Sequence, residues 1–301
     1  MDHRPDWPVI LLPGDRFLKI YAMSDIHVDY PINMAWVKDL SNSDYRDAAL
    51  ILAGDVTHRL DRLETALTCL RQKFAKVFYV PGNHELWLLQ SDCVNSLDKF
   101  NAILELCSSL GVHTQSARIG TGAAAVWLVP LYSWYVKPEE GESSLFLTKP
   151  GEDPTLKVWS DNYFVKWPEQ EKGPADWFLD LNLESLEKTY DAPVISFSHF
   201  LPRTDLILPS PEERAAFKGP WVDPHPTFNF SRVAGDSRLD SQIRKLPARM
   251  HVYGHQHRNR YRLVEETIYV SHCLGYSRER ETGFVGQALK PRLIWDNGSA
   301  A

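Results

Sequence analysis

Short runs of apolar, mostly β-branched or aromatic residues recur along the chain, and polar residues follow each run. Continuous apolar runs of this length are typical of strands that are buried on both faces of a sheet. The strands predicted in this way span 17–23, 48–53, 76–80, 124–131, 193–197 and 250–253.

Helical spacing separates several of these predicted strands. Five apolar residues within 60–74 recur at intervals of three or four, which is one face of an α-helix. Further helices are predicted near 97–107 and from 176 to 190. The alternation of strands and helices predicts an α/β domain, in which functional residues usually follow the carboxyl ends of strands.

Two long segments interrupt this alternation. Residues 137–173 are polar, acidic and punctuated by prolines, yet they contain several aromatic side chains, and 202–236 are similarly loop-like. Long loops inside a compact domain are usually functional or disordered, and the aromatic content favours ordered loops that pack over the body. The sequence predicts a single domain over 1–301 with these two loop insertions.

Composition and charge exclude several classes of protein. With 44% hydrophobic and 24% charged residues, the chain is typical of a globular protein rather than a disordered or collagen-like one. The net charge of −6 gives no global electrostatic footprint for nucleic acid. The four cysteines lack the close pairing of a zinc ribbon, and no apolar stretch approaches the roughly 20 residues of a membrane span. We expect a cytoplasmic protein with no membrane partner.

Polar residues of one chemical class follow five of the predicted strands. Asp, Asn and His supply oxygen and imidazole ligands that suit Mn, Fe, Zn or Ni, and the lack of cysteine argues against structural zinc. Each fragment alone could be a turn or a hydrogen-bonded histidine, but five fragments in order rarely coincide by chance. The fragments are Ser24-Asp25-Ile26-His27, Gly54-Asp55-Val56, Pro81-Gly82-Asn83-His84-Glu85, Ser198-His199 and Gly254-His255-Gln256-His257.

This ordered set resembles the calcineurin-like metallophosphoesterase superfamily, whose pattern is D-x-H, G-D, G-N-H-E/D, H and G-H-x-H. The resemblance spans 25–257 and implies a four-layer α/β/β/α sandwich, with elaborated loops over two metal ions at the strand ends. It implies that His84 is the catalytic acid that protonates the leaving oxygen. The implied metal ligands are Asp25, His27 and His257 for one ion, Asn83, His199 and His255 for the other, and Asp55 as the bridge.

The chain departs from two branches of that superfamily. In the Ser/Thr phosphatases an Asp that orients the catalytic His stands where this chain has His58, so Glu85 or a backbone carbonyl is the alternative partner for His84. Purple acid phosphatases have an iron-binding Tyr at the same position, and its absence argues against that branch. Arg59 matches a phosphate-binding Arg of the Ser/Thr phosphatases, with a solvated charge at a helix start as the alternative.

Five residues are candidates for contact with substrate. His58 and Arg59 follow the second motif, and for His58 the alternatives are contact with a metal ion or a cap of the helix that follows. Tyr276 and Arg278 follow the last motif in a locally basic run, where an ordinary charged turn is the alternative. Trp134 ends a predicted strand before the acidic insertion and offers apolar area for an organic group. For Trp134 the alternative is a core residue.

These features predict a binuclear metal-dependent phosphoesterase that hydrolyses a small phosphate ester by attack of a metal-bridging hydroxide. The cofactors expected are two divalent or trivalent ions among Mn, Fe, Zn and Ni. A phosphomonoesterase is favoured, and a phosphodiesterase acting on cyclic nucleotides or other small diesters is the alternative. A binding scaffold with this fold is the non-enzymatic alternative, and it would be expected to have lost ligands. A nuclease is disfavoured because no basic surface interleaved with aromatic residues is evident.

Overall fold

The computed structural model describes residues 9–10, 19–169, 171–216, 225–282, 285, 290–297 and 299–301. The strands in these ranges are β1 (Val9–Ile10), β2 (Lys19–Met23), β3 (Ala48–Ala53), β4 (Lys76–Val80), β5 (Ala117–Ile119), β6 (Val126–Pro130), β7 (Val194–Phe197), β8 (Ala248–Tyr253), β9 (Arg260–Val264), β10 (Thr267–Ser271), β11 (Arg292–Asp296) and β12 (Ser299–Ala300). The α-helices are α1 (Pro31–Asp39), α2 (Leu60–Lys73), α3 (Ser96–Ser109), α4 (Asp161–Phe164), α5 (Pro174–Leu181), α6 (Leu183–Glu187), α7 (Pro211–Ala216), α8 (Ser237–Lys245) and α9 (Ser277–Glu281). Short 3₁₀ helices span His84–Leu86, Gly122–Ala124, Thr204–Leu206 and Phe230–Val233.

The strands form two sheets. A seven-stranded sheet has the order β1-β5-β6-β7-β8-β10-β9, and a five-stranded sheet has the order β12-β11-β2-β3-β4. Strands β2, β3 and β4 are parallel to one another, as are β6, β7, β8 and β10. The carboxyl ends of each parallel set therefore meet at one edge of its sheet.

The two sheets pack face to face, with helices on both outer faces. Ile51 and Phe78 of the five-stranded sheet lie in one buried cluster with Ile195 and Val252 of the seven-stranded sheet. The outer face of the five-stranded sheet shares a cluster with α1, α2 and α3, and the other sheet shares one with α5 and α8. These layers confirm the four-layer α/β/β/α fold.

Most of the predicted elements are present with shifted ends. Strand β3 has the predicted bounds and is buried along its whole length, which agrees with its continuous apolar sequence. Of the first predicted strand, residues 17–18 lie outside the described residues. The helix predicted from 176 to 190 is two helices, α5 and α6, which meet at Asn182. The side chain of Asn182 bonds both backbone groups of Tyr132, and this tertiary contact fixes the break.

The described parts of the two insertions carry short helices and pack on the body. The first insertion contains α4, and its main chain bonds the loop that follows the third metal motif, where Leu88 N donates to Phe164 O at 2.8 Å. The second contains α7 and two of the 3₁₀ helices. Among the described residues, no helix is both long and apolar enough to cross a membrane.

Candidate metal centre

The five polar motifs converge at the edge where the parallel strands end. Backbone bonds tie neighbouring motifs together: Asp25 N donates to Gly54 O at 2.9 Å, and Gly254 N donates to His199 O at 2.9 Å. A carboxylate adds a tie between the sheets, because Asp25 Oδ1 accepts from the backbone N–H of His255 at 2.9 Å. The motifs therefore form one surface across both sheets.

One cluster of potential ligands unites Asp25, His27, Asp55 and His257, all of them buried. Nε2 of His27 and Nε2 of His257 are 2.9 Å apart, and Nε2 of His257 is 3.5 Å from Asp25 Oδ1. These are the four residues that the resemblance assigns to the first ion and the bridge.

A second cluster unites Asp55, His199 and His255, and Asn83 adjoins it. Nε2 of His199 is 3.4 Å from Asp55 Oδ1, 3.2 Å from Nδ1 of His255 and 3.3 Å from Asn83 Oδ1. The structure thus brings all seven predicted ligands together, with Asp55 common to both clusters. Each cluster takes residues from both sheets.

Hydrogen bonds on the far side of three imidazoles fix which ring nitrogen faces the clusters. His199 donates from Nδ1 to Ala53 O at 2.9 Å, and His255 donates from Nε2 to Val233 O at 2.9 Å. His257 donates from Nδ1 to the carboxylate of Glu279 at 2.8 Å. The opposite nitrogen of each ring then presents a lone pair to the cluster, so this donor set fits metal ions that bind imidazole and carboxylate.

Charge at the bridging position also fits a cation. Although burial alone would raise the pKa of Asp55, the neighbouring imidazoles of His199 and His84 hold that pKa well below its usual range. A buried carboxylate that stays ionised between two ligand sets is suited to bridging two cations.

The backbone at the predicted ligands is unusual, and glycines beside them permit close contacts. Asp25, His27, Asp55, His255 and His257 all have positive φ, which non-glycine residues seldom adopt. The neighbouring glycines allow close approach: a Cβ at position 54 would lie 2.5 Å from His199 Nδ1, and one at position 82 would lie 2.2 Å from Asp55 Oδ1. Substitution of either glycine would therefore displace ligands.

The predicted acid His84 lies beside the bridging carboxylate. Its backbone N–H donates to Asp55 Oδ1 at 3.0 Å, and its Nε2 is 3.8 Å from Asp55 Oδ2. Its ring stacks on the indole of Trp87 with centroids 3.8 Å apart and is 4.6 Å from the ring of His27. Burial lowers the pKa of His84 to about 4.

The carboxylate of Glu85, one of the two alternatives for the partner of His84, bonds backbone groups instead. The carboxylate accepts from the backbone N–H groups of Asp55, Val56, Thr57 and Gly82 at 2.5–3.1 Å. These four donors occupy the carboxylate of Glu85, which thereby joins the second and third motifs. Among the described residues, Asp55, Trp87 and His27 contact His84.

The two candidates after the second motif have protein partners. His58 Nδ1 is 3.2 Å from Asp29 Oδ1, and that carboxylate also accepts from Thr57 Oγ1 at 2.7 Å. Arg59 donates to Asp61 through Nε at 3.0 Å and Nη2 at 2.7 Å. The placement of Arg59 favours the alternative of a charge at the start of α2, although this charge is paired with Asp61 rather than only solvated.

The remaining candidates differ in their exposure. The ring of Tyr276 is 4.5 Å from that of His27 and 4.9 Å from that of His257, so it covers the first cluster. Arg278 is exposed on α9. Trp134 is only 4% exposed and packs against other aromatic side chains, which favours the core alternative over substrate contact. Those side chains are Tyr135, Trp167, Phe178 and Phe200.

Sequence reasoning missed two acidic residues that support ligands. Glu279 holds His257, and Asp161 accepts from Asn83 Nδ2 at 2.9 Å and from Trp87 Nε1 at 2.6 Å. Burial raises the pKa of Asp161 to about 6, although these donors oppose the shift. Glu279 stands in the basic run after the last motif. The sequence feature that could have identified it is its position three residues after Tyr276. No motif marks Asp161.

Comparison with known families agrees with this geometry. The sequence model of the calcineurin-like phosphoesterase family matches residues 18–259. The chain belongs to this family, and it is a metal-dependent phosphoric ester hydrolase.

Particular relatives refine the comparison. The [acyl-carrier-protein] phosphodiesterase PptH of Mycobacterium tuberculosis (strain ATCC 25618 / H37Rv) is 30% identical over 164 residues, which are 46% of this chain and 50% of that protein. The match thus spans about half the length of this curated relative. The crystal structure of phosphopantetheinyl hydrolase (PptH) from Mycobacterium tuberculosis has a TM-score of 0.69 at 22% identity and covers 93% of this chain and 96% of its own. That likeness shows a shared fold.

Proposed function

We propose that this phosphoesterase hydrolyses a phosphate diester, and that its substrate class is the phosphopantetheinyl diester of an acyl carrier protein. The observation that supports a diester substrate lies at the rim of the ligand clusters. Aromatic rings contact ligands of both clusters, whereas Arg59, the candidate phosphate-binding residue, is paired with Asp61.

Charge distinguishes the two ester classes. A phosphomonoester carries about 1.5 to 2 negative charges at pH 7, whereas a diester carries one. A monoester therefore gains more from an arginine beside the metal ions, and a diester gains more from apolar area for its second organic arm. Tyr276, Trp87 and Phe230 offer such area, since their rings lie 4.5 Å from His27, 3.8 Å from His84 and 5.2 Å from His255.

The relative PptH supports the substrate class. It is called an [acyl-carrier-protein] phosphodiesterase, and it is 30% identical to this chain over about half of its own length. The phosphomonoesterase that the sequence alone favours is kept as an outcome of the test below.

In this proposal the chain holds its two ions through the six residues of the two clusters together with Asn83. When bound, such ions neutralise the phosphoryl oxygens and lower the pKa of the attacking water. His84 donates a proton to the alcohol that leaves. Burial disfavours its charged form, but the negative charge of a bound phosphate favours it. Trp87 restrains the imidazole by stacking, and Tyr276 contacts the organic arm.

Two model substrates and one protein substrate test the proposal. We expect the manganese-loaded full chain to hydrolyse bis(p-nitrophenyl) phosphate with a higher kcat/KM than p-nitrophenyl phosphate. We also expect it to release phosphopantetheine from a holo-acyl carrier protein, measured by intact-protein mass spectrometry, with the apo-carrier as the control.

The matched variant is Arg59→Ala. Because Asp61 holds this guanidinium, its removal should leave kcat/KM for the diester little changed. A higher kcat/KM for the monoester, with a loss in Arg59→Ala, would instead assign a phosphomonoesterase.

A single domain over 1–301 and a cytoplasmic location remain part of this proposal.

A further inference from the structure

A buried carboxylate from the first insertion reaches a metal-ligand residue. Asp161, the first residue of α4, is 3% exposed. Its Oδ1 accepts a hydrogen bond from Asn83 Nδ2 at 2.9 Å and another from Trp87 Nε1 at 2.6 Å. One oxygen atom thus holds two side chains that serve different parts of the site.

The bond to Asn83 decides which end of the amide faces the second cluster. An amide has donor hydrogens on its nitrogen and lone pairs on its oxygen, and only the oxygen can bind a cation. Because Asp161 accepts from the nitrogen, Asn83 Oδ1 points toward the cluster, 3.3 Å from Nε2 of His199. Without the carboxylate, this preference for one amide orientation would be lost.

The bond to Trp87 restrains the ring that supports His84. The indole stacks on the imidazole with an interplanar angle of 29°. The carbonyl of Trp87 accepts a hydrogen bond from the buried ammonium of Lys99, so both the backbone and Nε1 of Trp87 are anchored. The position of His84 therefore depends in part on Asp161.

Burial of a carboxylate costs free energy unless hydrogen-bond donors compensate for the lost water. An apolar side chain at this position, beside Trp87 and Tyr135, would avoid that cost. The acid is explained by what it holds. We infer that Asp161 is a positioning residue that sets both the metal-binding oxygen of Asn83 and the imidazole of His84, so that the insertion is part of the site. The kinetic half of this inference rests on the proposed function, whereas the metal-binding half does not.

Three variants of the full chain separate the two bonds. Asp161→Leu removes both, and we expect metal affinity at the second cluster and kcat each to fall about 10–100-fold, as is typical for residues that support ligands. Asp161→Asn keeps an acceptor oxygen and should recover part of both. Trp87→Phe removes the indole donor and part of the stacked ring but leaves the bond between Asp161 and Asn83. It should therefore keep both ions and lose kcat most with poor leaving groups.

The control is Asp153→Asn, which changes an acid of the same insertion that pairs with Lys157 and Thr155 outside the site. It should keep the metal content and kcat of the unmodified chain. Metal affinity is measured by titration with manganese against a chelator, and folding by thermal melting.

Two results would overturn the inference. One is wild-type affinity for both ions in Asp161→Leu. The other is equal loss in Asp161→Leu and Asp161→Asn that tracks a lowered Tm, because that pattern indicates a merely structural role. If the unmodified chain binds two ions and Asp161→Leu binds one, yet no diester is hydrolysed, the proposed substrate fails and the metal-binding role of Asp161 stands.

Discussion

Glu279 accepts a hydrogen bond from Nδ1 of His257 at 2.8 Å, and its other oxygen is 3.0 Å from the same nitrogen. The same carboxylate accepts from the backbone N–H of Tyr276 at 2.8 Å, which fixes the start of α9. A single acid therefore connects a ligand of the first cluster with the aromatic residue that covers it.

Glu279→Ala should weaken metal binding at the first cluster by about 10–100-fold, because His257 would lose the partner that fixes its ring and its tautomer. Competition with a chelator measures the affinity. Glu281→Ala, on the exposed side of the same helix, is the matched control and should bind metal normally. Equal affinities in the two variants would contradict the supporting role of Glu279.

Asp55→Ala should lose both ions, because Asp55 is the residue common to the two ligand clusters. Elemental analysis of the purified variant measures the loss. Asp61→Ala, which removes an exposed carboxylate near the start of α2, should keep both ions. Full occupancy in Asp55→Ala would remove the bridging assignment.

His84→Asn should keep its metal ions and lose turnover by about 10²–10⁴-fold, the usual contribution of a general acid. The loss should shrink with leaving groups as acidic as p-nitrophenol, since these scarcely need a proton. Rates across a series of leaving groups measure this dependence. A loss that is the same for all leaving groups would mean that His84 positions the phosphate instead.

Trp134→Ala should destabilise the protein by roughly 3–5 kcal/mol, because it removes a buried indole from an aromatic cluster. Activity at a temperature where the variant stays folded should change in equal proportion on large and small substrates. Thermal melting together with kinetics on both substrates measures this. Normal stability with a raised KM for the large substrate alone would restore the substrate contact predicted from the sequence.

Stability should fall in acid because of His251. The ring is fully buried between Ser196 Oγ and Ser198 Oγ at 2.9 and 3.0 Å, and burial lowers its pKa to about 3. In the unfolded chain the pKa of this histidine is about 6.5, so the unfolded state binds the proton first. The stability present above pH 6.5 is therefore lost as the pH falls toward 3. Between pH 7 and pH 5, the free energy of unfolding of the unmodified protein should fall by about 2 kcal/mol more than that of His251→Gln. A pH-independent difference between the two proteins would contradict this assignment.

The sequence predicts which polar residues gather at the strand ends because each motif directly follows a continuous apolar strand. Parallel strands bring their carboxyl ends together, so residues that are distant in sequence, such as Asp25 and His257, become neighbours. The alternating strand β9, with its exposed Tyr261 and Leu263, escaped prediction because an edge strand lacks a continuous apolar run.

The supporting residues could not be predicted in the same way. Asp161 and Glu279 act through hydrogen bonds that exist only after the insertion and α9 have packed against the strand ends. The surroundings of Trp134 could not be predicted for a related reason: its place near a strand end indicates the site, but its neighbours in the fold come from α5 and from distant loops.

The division of each ligand cluster between the two sheets has a consequence for unfolding. A cation held by either cluster would cross-link the sheets at the edge where the ligands lie, while the rest of the interface depends on apolar contact between Phe78, Ile195 and their neighbours. At a free metal concentration one hundred times the dissociation constant, such a cross-link would add about 2.7 kcal/mol to stability. Amide protons of β2 and β8 nearest the ligands would then exchange with solvent more slowly in the metal-loaded chain, and separation of the sheets would begin at the far edge.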